Sequence, residues 1–319
     1  MEPAAVERRR LFAGGGAAVG LALLSGCAPG GASGRGSALS TRTADIPAIA
    51  TGTPTPRAMT PPGALLSPTL PTDVSVDGAR LVEAPRLADR VEDLMERRGG
   101  SLSLELVDLR RGHAFRVDRA DAYCFSTIKV LILVTLLRQL SEDGSALTEQ
   151  HRDLAERMIT RSENSAAEAL LDRTGRDEVQ RVARLIGMDH TEIDSGWWGL
   201  WRTQPGDLGR MVDAVLSSER VLDGAGRCTA RFLMAGVLPS QRWGVFSAEQ
   251  HRGVYVAGKN GWGPLPDGYR VNSTGWVSGE RSEYVLSILS RSPRGFTYGR
   301  DTVGQVAALC HDAAQAGLS

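Results

Sequence analysis

A serine and a lysine three residues apart are the side chains of this sequence best placed to do chemistry. Ser126 and Lys129 lie at the start of an apolar segment, residues 128–137, which reads IKVLILVTLL. Such a segment is typical of a buried helix, and residues three apart share a helix face. A lysine removed from water tends to lose its proton and can then activate a neighbouring serine as a nucleophile. The tetrad alone would favour a chance pair on a solvated helix, but its apolar flanks make nucleophilic catalysis the better hypothesis.

Two more polar segments could join this pair. Residues 162–164, Ser-Glu-Asn, lie between two predicted helices, and residues 259–261, Lys-Asn-Gly, end a predicted strand. Each has an ordinary alternative. The serine and asparagine could be polar residues before a helix that Ser165 caps, and the lysine could lie on an edge strand. The order and the flanks of all three segments favour a shared site.

Together the segments resemble the three motifs of the serine β-lactamase and penicillin-binding-protein superfamily, and most nearly those of class A β-lactamases. Residues 124–131 (CFSTIKVL) are similar to the family's nucleophile segment, and residues 158–167 (MITRSENSAA) to its second motif. The resemblance covers about residues 85–316. It implies an α+β fold with an antiparallel five-stranded sheet covered by helices. It also implies an all-helical lobe, about residues 126–240, inserted in the sheet lobe.

The resemblance implies catalytic roles for three side chains. Ser126 would attack a carbonyl and become acylated, and Lys129 would accept its proton or hold it in position. Ser162 would pass a proton to the departing nitrogen. The backbone N–H groups of Ser126 and Trp262 would form the oxyanion hole.

The same resemblance implies a substrate-binding set. Asn164 would position the substrate and the catalytic lysine, and Lys259 would supply positive charge for the substrate carboxylate. Gly261 would allow close approach of the backbone. The full set of predicted binding residues is Asn164, Lys259, Asn260, Gly261 and Trp262.

Three departures from the family limit the expected activity. Asn260 stands where the family usually has the hydroxyl of threonine or serine, which binds the substrate carboxylate. The interval between the first two motifs is shorter than in class A enzymes, so a more open cleft is expected. The loop at residues 193–205 lacks the glutamate that activates the deacylating water, and its tryptophans could pack in the core or line the cleft floor. The nearest carboxylates are Glu192, Asp194 and Asp207, and we expect acylation to outrun deacylation.

The N-terminus has the pattern of an export signal. Arginines at 8–10 precede a weakly apolar stretch too short for a membrane span, and residues 9–12 (RRLF) resemble a twin-arginine signal. Residues 24–27 (LSGC) resemble a bacterial lipobox, which implies cleavage before Cys27 and a lipid on its sulfur. The alternative is an ordinary secretory signal with an incidental cysteine. We expect a lipoprotein signal peptide over residues 1–26 and anchoring through the lipid to the outer face of the bacterial cell membrane.

Composition separates a tether from a folded domain. Residues 27–78 begin with the lipidated cysteine and are dominated by Gly, Ala, Ser, Thr and Pro. They cannot bury enough apolar surface to offset the entropy lost on ordering, so they are predicted to form a disordered tether. The β-lactamase-like domain is predicted over residues 79–319.

Charge and metal-binding residues exclude several classes of partner. The chain has 37 basic and 37 acidic residues and no long basic run, so no nucleic-acid partner is expected. Its five histidines are scattered and its cysteines lack metal-ligand spacing, so no metal and no other cofactor are expected. Three cysteines remain after Cys27, an odd number whose pairing cannot be read from sequence. We expect a monomer.

Local patterns predict two strands, a block of helices, three strands and a terminal helix. The predicted helices span about residues 85–98, 126–140, 148–160, 165–172, 177–186, 207–216, 229–238 and 302–316, and the predicted strands 101–109, 113–118, 253–259, 269–277 and 283–290.

Three functions stay open at this point. The first is a membrane-anchored serine hydrolase that forms an acyl-enzyme with β-lactams or peptidoglycan-derived D-alanyl peptides. The second is a peptidase similar to penicillin-binding proteins. The third is a non-catalytic lipoprotein that binds a cell-wall ligand, which the altered third motif favours and the intact Ser-Lys pair opposes.

Overall fold

One six-stranded sheet forms the frame of the described chain. The structure is a computed structural model and describes residues 75–118 and 122–318. The strands of the sheet are β1 (Arg80–Leu81), β2 (Ser101–Asp108), β3 (His113–Val117), β4 (Tyr255–Leu265), β5 (Gly268–Ser278) and β6 (Glu283–Ser292). They lie in the order β1-β3-β2-β6-β5-β4, so that β4 forms one edge of the sheet.

The predicted antiparallel five-stranded sheet is confirmed for β2 to β6, but the sheet has six strands. All neighbouring pairs among β2 to β6 are antiparallel. The additional strand, β1, pairs with β3 in parallel. No local pattern marks β1, because its two residues are both exposed and too few to show alternation.

Helices cover both faces of the sheet. In the described residues they are α1 (Pro85–Arg98), α2 (Lys129–Glu142), α3 (Glu149–Thr160), α4 (Asn164–Thr174), α5 (Arg176–Leu185), α6 (Pro205–Leu216), α7 (Gly224–Ala235) and α8 (Gly295–Ala316). The first and last, α1 and α8, pack together, and α8 contacts β5 and β6. Helix α6 also contacts the sheet, and α2 contacts each of α3 to α7. The helices α2 to α7 all fall between β3 and β4 in the chain.

Two apolar cores separate these layers. The larger core is built around α2, whose residues Val130 to Leu137 are all buried, and it includes residues from α3 to α7. The second core joins α1 and α8 to alternate residues of the strands, among them Leu104 and Leu106 of β2. The two cores together hold β4 rigidly beside the start of α2.

The folded region begins before residue 79. The predicted tether extends to residue 78, but Val76 is buried and contributes to the larger core. Asp77 accepts a hydrogen bond from Nε of Arg210 at 2.6 Å. These two contacts attach the end of the predicted tether to α6.

Other predictions concern residues that the structure does not describe. The export signal, Cys27 and the tether up to residue 74 lie outside the described residues. In residues 75–118 and 122–318, no helix has the length and apolar character needed to cross a membrane. Cys124, Cys228 and Cys310 are all free thiols, the first and last of them buried.

Candidate active site

Ser126 lies in a short 3₁₀ turn that leads directly into α2. The turn spans Phe125–Ile128, and Phe125 has a positive φ of 46°. Oγ1 of Thr127 donates a hydrogen bond to the carbonyl of Cys124 at 2.6 Å. The turn is therefore fixed on both sides of Ser126, while Ser126 itself is half-buried.

Lys129 is the first residue of α2, and its side chain is completely buried. Its Nζ donates to the backbone carbonyl of Ser162 at 2.7 Å and to Oδ1 of Asn164 at 2.9 Å. The Oγ of Ser162 lies 3.4 Å from the same nitrogen. The first and second predicted motifs therefore meet at this amine.

The surroundings of Lys129 favour its neutral form. Burial lowers the pKa of Lys129 to about 7, and the charges of Glu168 and Glu163 oppose that shift only in part. A neutral amine has two N–H groups and one lone pair. The two closest acceptors take the two N–H groups, so the lone pair remains available for a proton.

Ser162 adopts a backbone conformation that few non-glycine residues use. Its φ is +58°, in the left-handed region, which costs an L-residue roughly 1–2 kcal/mol. This conformation turns both the carbonyl and the hydroxyl of Ser162 toward Lys129. Such strain persists only where surrounding contacts hold it, and it is concentrated at functional sites.

Lys259 approaches the same serine from the sheet. Its side chain is completely buried, and its Nζ donates to Oγ of Ser162 and to the carbonyl of Asn260, both at 2.9 Å. Burial, and then the charge of Lys129, hold the pKa of Lys259 well below its usual range. The Ser162 hydroxyl therefore lies between two desolvated amines.

These two amines are the only lysines among the 319 residues of the chain. Every other basic side chain, histidine apart, is an arginine, which does not lose its proton in proteins. The chain thus places both of its lysine side chains in one site. The amino-acid composition alone shows that lysine is rare in this chain, but it does not show which serine lies beside the two lysines.

Strand β4 passes very close to the turn that contains Ser126. The predicted third motif lies within β4 and does not end the strand, which continues to Leu265. A Cβ at Gly261 would lie 2.7 Å from the backbone nitrogen of Ser126, and one at Gly263 would overlap the ring of Phe125. Both positions therefore require glycine. The approach brings the backbone of β4 beside the N–H of Ser126, where an oxyanion could be bound.

Asn260 and Trp262 alternate along β4 with Gly261 and Gly263, so their side chains lie on the opposite face of the strand. Asn260 is completely buried, and its Nδ2 donates to the carbonyls of Gln241 at 2.7 Å and Trp243 at 2.9 Å. The indole of Trp262 packs against the rings of Trp243 and Phe296. Both side chains are therefore held in protein contacts, and only the backbone of Trp262 remains a candidate for binding substrate.

An indole lies next to the amine of Lys129. Nζ of Lys129 lies 4.8 Å from the ring centre of Trp198, which is buried. The ring of Trp197 meets that of Phe125 edge-on and lies tilted against that of Trp198, and 42% of Trp197 is exposed. Trp201 is fully buried, and its Nε1 donates to the carbonyl of Asp194. The loop tryptophans thus divide between the core and the region beside Phe125 and Lys129.

The carboxylates nearest in sequence to the tryptophan loop, residues 193–205, have partners away from Ser126. Asp207 is buried and accepts hydrogen bonds from the backbone of His190 and from Oγ1 of Thr191. Asp194 caps the backbone N–H of Gly196 within its own turn. Glu192 is exposed and lies 3.9 Å from an arginine of the same loop. Each of these contacts is structural, and none involves Ser126 or Lys129.

A metal ion needs several donor side chains close together. Among residues 75–118 and 122–318, no group of three or more His, Cys, Asp or Glu side chains could hold a metal ion. The chemistry available is that of one serine, a second serine and two amines.

The comparisons with known proteins agree with this geometry. A model of the beta-lactamase enzyme family matches residues 150–314, more than half of the chain. The chain belongs to this family. No curated protein matches it. The matched region of this beta-lactamase family member contains the second and third motifs and begins after Lys129.

Solved structures show the same fold. A beta-lactamase from Sphaerobacter thermophilus superposes with a TM-score of 0.64 and 18% identity, over 73% of this chain and 98% of that one. PBP-A superposes with a TM-score of 0.63 and 21% identity, over 74% and 97% of the two chains. A PBP-A mutant, solved as an acyl-enzyme complex with penicillin G, has a TM-score of 0.62 and 21% identity, over 73% and 97%.

Proposed function

We propose that this protein is a serine hydrolase that forms an acyl-enzyme at Ser126 with β-lactams or the D-alanyl peptides that they mimic. The observation that carries the proposal is the pair of buried amines on one hydroxyl. Ser162 Oγ lies 3.4 Å from Nζ of Lys129 and 2.9 Å from Nζ of Lys259. A purely binding protein has no need of two desolvated amines beside a strained serine.

We propose the following course for acylation. Ser126 Oγ attacks the carbonyl carbon, and its proton moves to the lone pair of Lys129. The negative charge develops on the carbonyl oxygen, which the backbone N–H groups of Ser126 and Trp262 receive. The carbon–nitrogen bond breaks as the nitrogen takes the hydroxyl proton of Ser162. That proton is replaced from Lys129, which returns the amine to its neutral form.

The substrate is held by the rest of the cleft. The amide of Asn164 accepts from Lys129 through Oδ1 and is exposed, so its Nδ2 can donate to a ligand. The structural neighbour solved as an acyl-enzyme complex with penicillin G supports a β-lactam as the ligand. The likeness to PBP-A equally supports the alternative, a penicillin-binding-protein-like peptidase acting on peptidoglycan peptides.

We also propose that deacylation is slow. Hydrolysis of the acyl-serine needs a water activated by a base, which typically contributes about 10²–10⁴-fold in rate. The indole of Trp198 lies beside Lys129, and Asp207 and Asp194 accept hydrogen bonds within the fold. An apolar ring at that position both excludes water and supplies no base.

The proposed location is the outer face of the bacterial cell membrane. The support is the sequence alone: a twin-arginine pattern at residues 9–12 and a lipobox ending at Cys27. A tether over the following residues would let the domain reach the cell wall. We also propose that the protein is a monomer.

Labelling with a β-lactam tests the enzyme proposal. Benzylpenicillin should add its mass to the peptide that contains Ser126, and intact-protein mass spectrometry should show one adduct. The Ser126→Ala variant should show none, and Lys129→Ala should be labelled far more slowly because serine without a base is a weak nucleophile. Absence of labelling across several β-lactam classes at high concentration would favour the non-catalytic binding lipoprotein instead.

A further inference from the structure

The turn at Pro239–Gln241 connects two parts of the site that are far apart in the chain. Its preceding residue, Leu238, donates its backbone N–H to the carbonyl of Thr160 at 3.0 Å. Nε2 of Gln241 donates to the carbonyl of Arg161 at 2.7 Å. The turn is therefore bonded to the two residues that directly precede Ser162.

The same turn is bonded to the strand that carries Lys259. The Nδ2 of Asn260 donates to the carbonyls of Gln241 and Trp243, at 2.7 and 2.9 Å. Both N–H groups of this buried amide are thereby used. Its Oδ1 is buried without a hydrogen-bond partner, so the two carbonyls alone set the orientation of the amide.

We propose that Asn260 and Gln241 form an amide clamp that positions Ser162 between the two lysines. The proposal rests on the proposed acylation at Ser126 and assigns Asn260 a positioning role in place of the predicted carboxylate-binding role. The chain of contacts runs from Arg161 through Gln241 to Asn260, and it joins the second motif to the third.

The backbone of Ser162 explains why a clamp is needed. A left-handed serine lies higher in energy than the ordinary helical or extended conformations, so it is retained only where neighbouring contacts fix it. The bond from Lys129 holds the carbonyl of Ser162, while the clamp holds the residue before it. Release of the clamp lets Ser162 relax and moves its hydroxyl away from the amines.

The clamp also accounts for the amide in the third motif. A threonine or serine hydroxyl at position 260 has one proton and cannot donate to two carbonyls at once. The amide makes both bonds and has no N–H left for a substrate carboxylate. We therefore expect that substitution of Asn260 lowers the limiting rate of acylation and leaves recognition of the substrate carboxylate unchanged.

Acylation kinetics with two probes test the clamp. Benzylpenicillin and its methyl ester differ at the carboxylate, so the ratio of their acylation rates reports carboxylate recognition. In Asn260→Ala and Gln241→Leu, the limiting acylation rate should fall by about tenfold, equivalent to 1.36 kcal/mol of barrier. The half-saturating concentration and the acid-to-ester ratio should stay within about twofold of the unmodified protein.

The pH profile separates positioning from a loss of stability. A loosened Ser162 segment admits water to Lys129, so its pKa rises and the acid limb of the acylation profile moves to higher pH. The double variant should lose little more than either single variant, because the two residues act in series.

A matched control exists in the helical part of the chain. Gln139 of α2 also donates Nε2 to a backbone carbonyl, that of Thr174 at 3.0 Å, and its Oε1 is also buried without a partner. Gln139→Leu should lower stability while leaving the acylation rate and the pH profile unchanged.

Three outcomes would overturn the inference. If Gln241→Leu acylates at the same rate and pH as Gln139→Leu, there is no clamp. If Asn260→Ala loses the acid-to-ester preference at an unchanged limiting rate, Asn260 is a carboxylate receptor. No acylation of the unmodified protein by either probe would refute the proposed function, and the clamp with it.

Discussion

The chemistry proposed for this site depends on how two amines are kept out of water. Lys129 and Lys259 are the only lysines in the chain, and each is completely buried where it touches Ser162. The burial of Lys129 was predictable, because a lysine at the start of an apolar helix is unusual in a folded protein. The contacts of Asn260 were not predictable, because they depend on carbonyls about twenty residues earlier in the chain.

The first prediction concerns the protonation of Lys129. Because burial holds its pKa at about 7, the fraction of neutral amine rises as the pH rises through that value. The second-order rate of acylation should increase with pH over the same range and then level. Rates should be measured from pH 5 to 9, with ¹⁵N-lysine NMR on the unacylated protein. Two lysine side-chain signals are expected, and a pKa near 10 for both would contradict the prediction.

The second prediction is that Lys129 lowers the stability of the fold. An unfolded lysine binds its proton below pH 10.5, and the folded one only below about 7. Between these values the unfolded state carries more protons, so this group makes stability fall as the pH falls. The Lys129→Met variant lacks the amine, so its folding stability does not fall with pH for this reason. Its advantage over the unmodified protein should grow by up to about 1.4 kcal/mol for each pH unit from 10.5 down to 7 and then level.

Urea unfolding at pH 7, 8.5 and 10 measures that difference. The Lys129→Met variant is also expected to be inactive, so stability and activity should change in opposite directions. A stability difference independent of pH would mean that Lys129 titrates normally in the folded protein.

At the scale of elements, local sequence patterns predicted those helices and strands that local contacts stabilise. The helix α2, the hairpin of β2 and β3 and the start of α3 at its Thr148 cap agree with the sequence analysis. The predicted start of α8 was seven residues late, because Phe296 in its first turn is held by Trp243 and Trp262, which no local pattern shows.

The start of α4 shows the same limit at a smaller scale. Ser165 was expected to cap this helix, but α4 begins at Asn164 and its N-cap is Glu163. The hydroxyl of Ser165 instead donates to the carboxylate of Glu163 at 2.8 Å. Contacts of Asn164 with Lys129 extend the helix by one residue, and they are tertiary contacts.

The third prediction concerns the loop that contains Trp198. If the indole beside Lys129 prevents deacylation, a carboxylate at that position should activate water there. The Trp198→Glu variant should lose its penicillin adduct about 10²-fold faster than the unmodified protein, the low end of general-base catalysis. Trp198→Gln is the matched control, since it opens the same space without a base. Adduct decay is followed by mass spectrometry.

Equal decay in the Glu and Gln variants would show that access of water, and not a base, limits deacylation. Rapid turnover by the unmodified protein, with no adduct, would contradict the proposal of slow deacylation itself. It would identify another carboxylate as the base.

At the scale of the whole molecule, the fold and the site are held by the same two cores. Strand β4 contacts the turn that contains Ser126, and at Gly261 and Gly263 this contact leaves no room for side chains. The sequence supported this architecture through the order of its motifs. It did not indicate the short strand β1 or the attachment of Val76 to the core, because each depends on a partner distant in the chain.

The last prediction concerns where this domain acts. A lipid on Cys27 would hold the protein at the membrane, and 47 residues would separate it from Ser75, where the described chain begins. The unmodified protein should fractionate with membranes, and Cys27→Ala should be soluble. Cys228→Ala is the matched control, because Cys228 is an exposed free thiol of the folded domain and its loss should not change the fraction. Mass spectrometry of the N-terminal peptide should find a diacylglyceryl group on Cys27. A soluble, unlipidated protein after export would leave an ordinary secretory signal as the explanation of residues 1–26.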